Sequence, residues 1–158
     1  MKRLQRLDAV RNVMQNEERR QAAQLADCEH LVANAALRLQ ELERYRSDYA
    51  QQLDQRATQG IDAMALRDYQ AFLARLEDAI VQQSRVHARV LADLEFERSR
   101  WQAAAIRLKS MSTVIEKWES EERVQADRMA QIETDERAAQ QTQRFAPEET
   151  SPGLPLDG

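Results

Sequence analysis

The stretch Leu53-Asp54-Gln55-Arg56-Ala57-Thr58-Gln59-Gly60-Ile61-Asp62 divides this chain. Gly60 is the only glycine before Pro147, and no proline precedes Pro147 either. Glycine and proline are the strongest local interrupters of regular structure. One break within residues 1–146 therefore predicts two long segments, with the turn at 54–61. Asp62 can cap the second segment through its carboxylate. Ile61 and Leu66 then stand at the spacing of a hydrophobic staple.

Both segments carry a heptad pattern. Positions spaced alternately three and four before the break run Leu4, Leu7, Arg11, Met14, Glu18, Gln21, Leu25, Cys28, Val32, Ala35, Leu39, Leu42, Arg46, Tyr49 and Leu53; eleven of the fifteen are apolar. After the break the same rule runs from Leu66 through Leu73, Leu76, Ile80, Val90, Leu94, Trp101, Ala104, Leu108, Met111, Ile115 and Trp118 to Met129 and Ile132, and fifteen of its twenty positions are apolar. A 3.5-residue repeat held in phase over that distance keeps one stripe facing a partner helix. A short connection makes the two helices antiparallel neighbours. Centring the turn near Ala57 pairs Leu42 with Leu73, Leu39 with Leu76, Ala35 with Ile80, Leu25 with Val90, Met14 with Trp101 and Leu7 with Leu108.

The expected fold is thus all-α: a long two-helix antiparallel coiled-coil hairpin over 1–143, with helix 1 at about 3–53 and helix 2 at about 62–143. A disordered tail, 144–158, holds all three prolines. A seam satisfied within one chain predicts a monomer when free. In this register helix 1 begins near the level of Met111. Ile115, Trp118, Met129 and Ile132 are then expected to lack a partner within the chain.

Composition agrees. Charged residues make up 32% of the 158 and aromatic ones 5%, and the mean hydropathy is -0.74. A rod that buries one stripe per helix has that polarity. Twenty-three Lys and Arg are mixed along the chain with twenty-seven Asp and Glu, for a net charge of -4. No basic block gathers to neutralise phosphates, which argues against nucleic acid and an anionic membrane surface. Cys28 is the only cysteine, so no intramolecular disulfide can form and a reducing compartment is expected. The basic start, Met1 to Arg6, has no apolar run behind it. A cytoplasmic chain is the expectation.

No motif for catalysis is legible: no glycine-rich phosphate loop, no HExxH, no nucleophile elbow. Cofactors and small-molecule substrates are not expected. Cys28 is expected to face His87, but zinc needs three or four ligands and no others converge there. Glu18 is expected to face Glu97 beside Gln21, either as a solvated weak layer or as a place where the hairpin bends. Tyr45 and Phe72 lie off the seam, at equivalent flanking positions near the turn. They form either a binding patch or a cover over the seam edge.

Around these residues the chain resembles the FliJ family of flagellar type III export proteins. The resemblance rests on Leu42-x-x-Tyr45-x-x-x-Tyr49-x-x-x-Leu53, on Gly60-Ile61, and on Tyr69-Gln70-x-Phe72-Leu73-x-x-Leu76-Glu77-x-Ala79-Ile80, about a quarter of the chain. It implies a non-enzymatic, cytoplasmic coiled coil similar to the stalk of rotary ATP synthases. The implied partners are the hexameric export ATPase and the cytoplasmic domain of the membrane export gate, with export chaperones as further candidates. The implied role is coupling of ATP hydrolysis to export. The family's gate-binding surface maps onto Leu42, Tyr45, Tyr49, Phe72, Leu76 and Ala79; Arg38 and Gln83 depart from relatives at its edges. The end opposite the turn, with Leu4, Leu7, Leu108, Met111, Ile115 and Trp118, is expected to enter the ATPase ring through its uncovered apolar stripe. A stalk of a virulence type III system and a purely structural tether are the other readings.

Overall fold

A computed structural model describes residues 2–147 and 153. The described residues form two helices: α1, Lys2–Gln59, and α2, Ala63–Arg144. At 1.5 Å per residue they measure about 90 and 120 Å. They run antiparallel as one hairpin. Most of the expected tail lies outside the described residues.

The turn is only three residues long. Gly60 adopts a φ of +92°, a conformation that costs other residues a steric penalty. An added Cβ would meet nothing within 4 Å, so it is the backbone that requires glycine here. Asp62 follows in extended conformation and caps α2 as expected: its carboxylate accepts from the Met64 N–H at 2.7 Å and the Ala65 N–H at 3.2 Å. Ile61 and Leu66 are both half-buried, in keeping with a staple.

Helix α1 outruns its expected end at Leu53. Residues 54–59 contain good helix formers and nothing that stops a helix, and the Thr58 hydroxyl is absorbed by the Asp54 carbonyl at 2.9 Å. This moves the turn toward α2 and changes which side chains meet. Trp101, expected against Met14, bonds Glu18. Ala35, expected against Ile80, receives Gln83. Tyr49 meets Tyr69. These contacts fall about one helical turn beyond the expected pairing. The offset has the direction that a turn later in the chain gives.

The heptad positions form the seam. Of those in α1 only Arg46 is exposed, and in α2 every one from Leu66 through Trp118 is at least half-buried. Among the described residues, Ala35, Leu76, Leu94, Ala104 and Ile115 are the buried apolar ones. From Glu119 onward every described residue of α2 is exposed, including Met129 and Ile132. The expectation of a partnerless end therefore holds from Glu119, not from Met111. Ile115 is 0% exposed, and the Arg3 guanidinium stacks on the Trp118 ring at 3.5 Å.

Candidate protein-binding surfaces

Four aromatic residues gather beside the turn. On α1, Tyr45 and Tyr49 are one turn apart; on α2, Tyr69 and Phe72 are three apart, so each pair shares a face. The rings pack in a chain: Tyr69 to Tyr49 at 5.0 Å, Tyr49 to Phe72 at 4.4 Å, and Phe72 to Tyr45 at 6.4 Å. The Arg56 guanidinium closes the row over Tyr69 at 5.6 Å. Contacts at these separations hold the rings in fixed orientations. The outermost ring, Tyr45, is 57% exposed, while Tyr49, Tyr69 and Phe72 are half-buried. The row thus rises from the seam to a solvent-facing edge, and Tyr45 and Phe72 do lie on one side of the hairpin.

The other residues expected in this surface divide by depth. Leu42 and Ala79 are half-buried, whereas Leu76 is 8% exposed and belongs to the seam beneath the patch. Gln83 turns inward and donates its Nε2 to the Ala35 carbonyl at 3.1 Å. Arg38 stays outside, on a shallow groove of α1 lined by Asn34, Leu37, Glu41, Leu42 and Tyr45.

Midway along the rod the seam is polar. Glu18 Oε1 accepts from Trp101 Nε1 at 2.9 Å, so Glu18 is engaged by a donor instead of facing Glu97. Glu97 lies 3.6 Å from Arg100 on its own helix. Gln21 is 3% exposed and donates to Glu17 at 3.0 Å. Gln21 Oε1 and Glu97 Oε2 are buried without a hydrogen-bond partner. Gln21 is thus enclosed within a half-buried layer, where a solvated layer and a bend were the two expectations, and a buried acceptor left unpaired costs about 1–3 kcal/mol. The Glu17 carboxyl is held below its usual range by the Gln21 amide first, then by Arg20, with Arg100 across the edge adding to the effect.

Cys28 neighbours this layer. Burial first, then the charges of Glu97, Asp93 and Asp27, push its thiol pKa up. That environment disfavours the thiolate, the reactive and metal-binding form. The contact offset also carries Cys28 past His87. Among the described residues no three His, Cys, Asp or Glu side chains gather as a metal site.

The far end does not present the surface expected of it. Leu4, Leu7, Leu108, Met111 and Trp118 are half-buried and Ile115 is fully enclosed, so these six form the last layers of the seam. Lys2, Arg3, Arg6 and Val10 border a groove against Leu7 and Trp118 there, and Arg3 with Trp118 borders a second one formed by Glu121, Glu122 and Gln125. The Arg3–Trp118 stack and the Glu18–Trp101 bond escaped the sequence reading. A turn placed at 60–62 would have brought both pairs within reach.

No described helix is long and apolar enough to cross a membrane. The family model described as Flagellar FliJ protein matches residues 1–146. No curated protein and no solved structure matches the chain.

Proposed function

Since the chain belongs to the FliJ family and is a component of the flagellar protein export apparatus, we propose that it is a stalk-like, non-enzymatic rod that joins the hexameric export ATPase to the cytoplasmic domain of the export gate. In this reading it works in the cytoplasm at the inner face of the membrane and couples ATP hydrolysis to export.

The observation that carries the reading is the aromatic edge at the turn. Tyr45 is exposed on rings that the seam holds rigid. Little side-chain freedom is lost when such a surface binds, and exposed aromatics of this kind supply binding hot spots. Tyr45 and Phe72 make the gate contact, flanked by Tyr49, Leu42 and Ala79. Leu76 supports them from below.

The opposite end enters the ATPase ring. Its seam residues, Leu4, Leu7, Leu108, Met111, Ile115 and Trp118, act by keeping the shaft stiff, not by touching the ring with their uncovered faces. The ring meets the outer surface, where Lys2, Arg6, Val10 and Val114 are exposed.

The test is binding of the purified gate cytoplasmic domain to Tyr45→Ala and Phe72→Ala rods. Each change should weaken binding by about 2 kcal/mol, roughly thirtyfold, the size expected for a truncated aromatic anchor. Helicity and stimulation of the ATPase should survive. Unchanged gate affinity in both variants would refute the assignment.

A further inference from the structure

We propose that the hairpin has a second seam register, in which α1 is displaced by one helical turn toward Gly60, and that exchange between the two registers changes both ends of the rod together. The link to partners rests on the two-ended reading above; the second register rests on the seam alone.

In the observed register Glu18 bonds Trp101, Gln83 bonds the Ala35 carbonyl, and Tyr49 packs on Tyr69. Sliding α1 by one helical turn, about 5 Å, sets Met14 against Trp101, Ala35 against Ile80, Leu42 against Leu73 and Leu7 against Leu108. Each of these pairs is apolar, so the slide conserves burial, as a heptad seam allows. What separates the registers is polar. The slide takes the Glu18 oxygen from the Trp101 N–H and brings Glu18 toward Glu97; it also frees Gln83 from Ala35. The observed register has a deficit of its own. Gln21 Oε1 and Glu97 Oε2 are buried there without a partner, and such acceptors are costly. Two registers that share their apolar burial and differ by a few polar contacts are open to selection by a partner that favours one of them.

The connection supplies the slack. Moving α1 toward Gly60 requires it to shorten by one helical turn. Residues 54–59 are all exposed and lie beyond the last seam position, Leu53. Unwinding them gives up the Arg56 contact with Tyr69 and the Thr58 bond to Asp54, but removes no apolar side chain from the seam. Segments with few buried contacts open most readily.

Both ends follow the slide. Tyr49 leaves Tyr69 for Leu66, and Tyr45 no longer stands level with Phe72, so the aromatic row comes apart. At the far end Leu4 falls against Met111. Arg3 then leaves Trp118, and Ile115 loses the cover that encloses it in the observed register. The gate face is therefore whole only while the far end is closed. One-turn ratchets of one packed element past another are a known way to carry a change along a protein.

The test measures the stagger directly in full-length rods. Nitroxides at Ala23→Cys and Lys109→Cys, both exposed positions, in a Cys28→Ala background report it by pulsed electron paramagnetic resonance. The slide carries Ala23 away from Lys109 and lengthens their separation by about 5 Å. The parent is expected to show the shorter distance, with the longer one as a minor state. Glu18→Leu/Glu97→Leu removes the polar contacts that favour the observed register and should raise the longer distance above about a tenth of the molecules. Ala57→Gly, which weakens the last turn of α1 and touches no seam position, should act in the same direction; it decides the matter should the double variant lose helicity. Adding the purified gate cytoplasmic domain should deplete the longer distance in either variant. A single distance in both variants overturns the second register. A longer distance that the gate domain leaves unchanged, in rods whose gate binding is lost with Tyr45→Ala, overturns the link between the ends. Parental gate binding by Tyr45→Ala removes the gate reading instead, while the distances still decide the register.

Discussion

The two ends of the hairpin use the same apolar vocabulary in opposite ways. Beside the turn, Tyr45 and Phe72 stand at flanking positions, so pairing of the helices leaves them partly in water: Tyr45 keeps 57% of its surface. At the far end the apolar residues occupy the heptad positions themselves. Ile115 is fully enclosed there and Trp118 lies under Arg3. A two-helix seam is narrow, so a residue's fate turns on about one position of heptad phase. Side chains on the seam are consumed by folding, and those on its edge remain for partners. Apolar residues near a rod's end are therefore not automatically a docking site.

The largest expected effect that tests this contrast is on stability. Ile115→Ala removes a fully enclosed side chain and should destabilise the far end by about 2–5 kcal/mol, the range for such truncations in packed sites. Tyr45→Ala should cost well under about 1 kcal/mol, as is usual for surface changes. Thermal unfolding with site-resolved amide exchange measures both. Similar losses from the two variants would erase the distinction between the ends.

A smaller effect belongs to the turn. Asp62→Ala leaves the Met64 and Ala65 N–H groups without their cap and should lower stability by about 1 kcal/mol. Asp62→Asn, which keeps a capping oxygen, should restore most of it. If the cap also positions the aromatic row, gate affinity falls with stability in the alanine variant and recovers in the asparagine one.

The smallest effect is expected from the lone helix. Past Trp118 every described residue of α2 is exposed, and the groove that Arg3 borders reaches no further than Gln125. Ending the chain after Glu122 should therefore leave the melting temperature of the hairpin within error and remove only helical signal. A clear drop in melting temperature would show that the paired region draws stability from this extension.

Much of the molecule was legible from residues alone. An unbroken heptad phase, one glycine and no proline before Pro147 are local properties, and they determine two helices, their antiparallel pairing and the seam stripe. Of the thirty-one heptad positions read from Leu4 through Trp118, only Arg46 is exposed. The Asp62 cap was legible because its partners lie within three residues. The side-by-side placement of Tyr45 and Phe72 followed from phase as well. Only the tertiary structure decided how the helices are offset. A heptad repeat is nearly blind to sliding, because a shift along the seam again sets apolar positions against apolar ones. The stagger is set by where α1 stops, and helix ends are weakly encoded when, as at 54–59, the residues beyond a predicted stop are themselves good helix formers. That difference of about one turn buried Ile115, gave Glu18 the Trp101 N–H in place of Glu97, and brought Arg3 over Trp118.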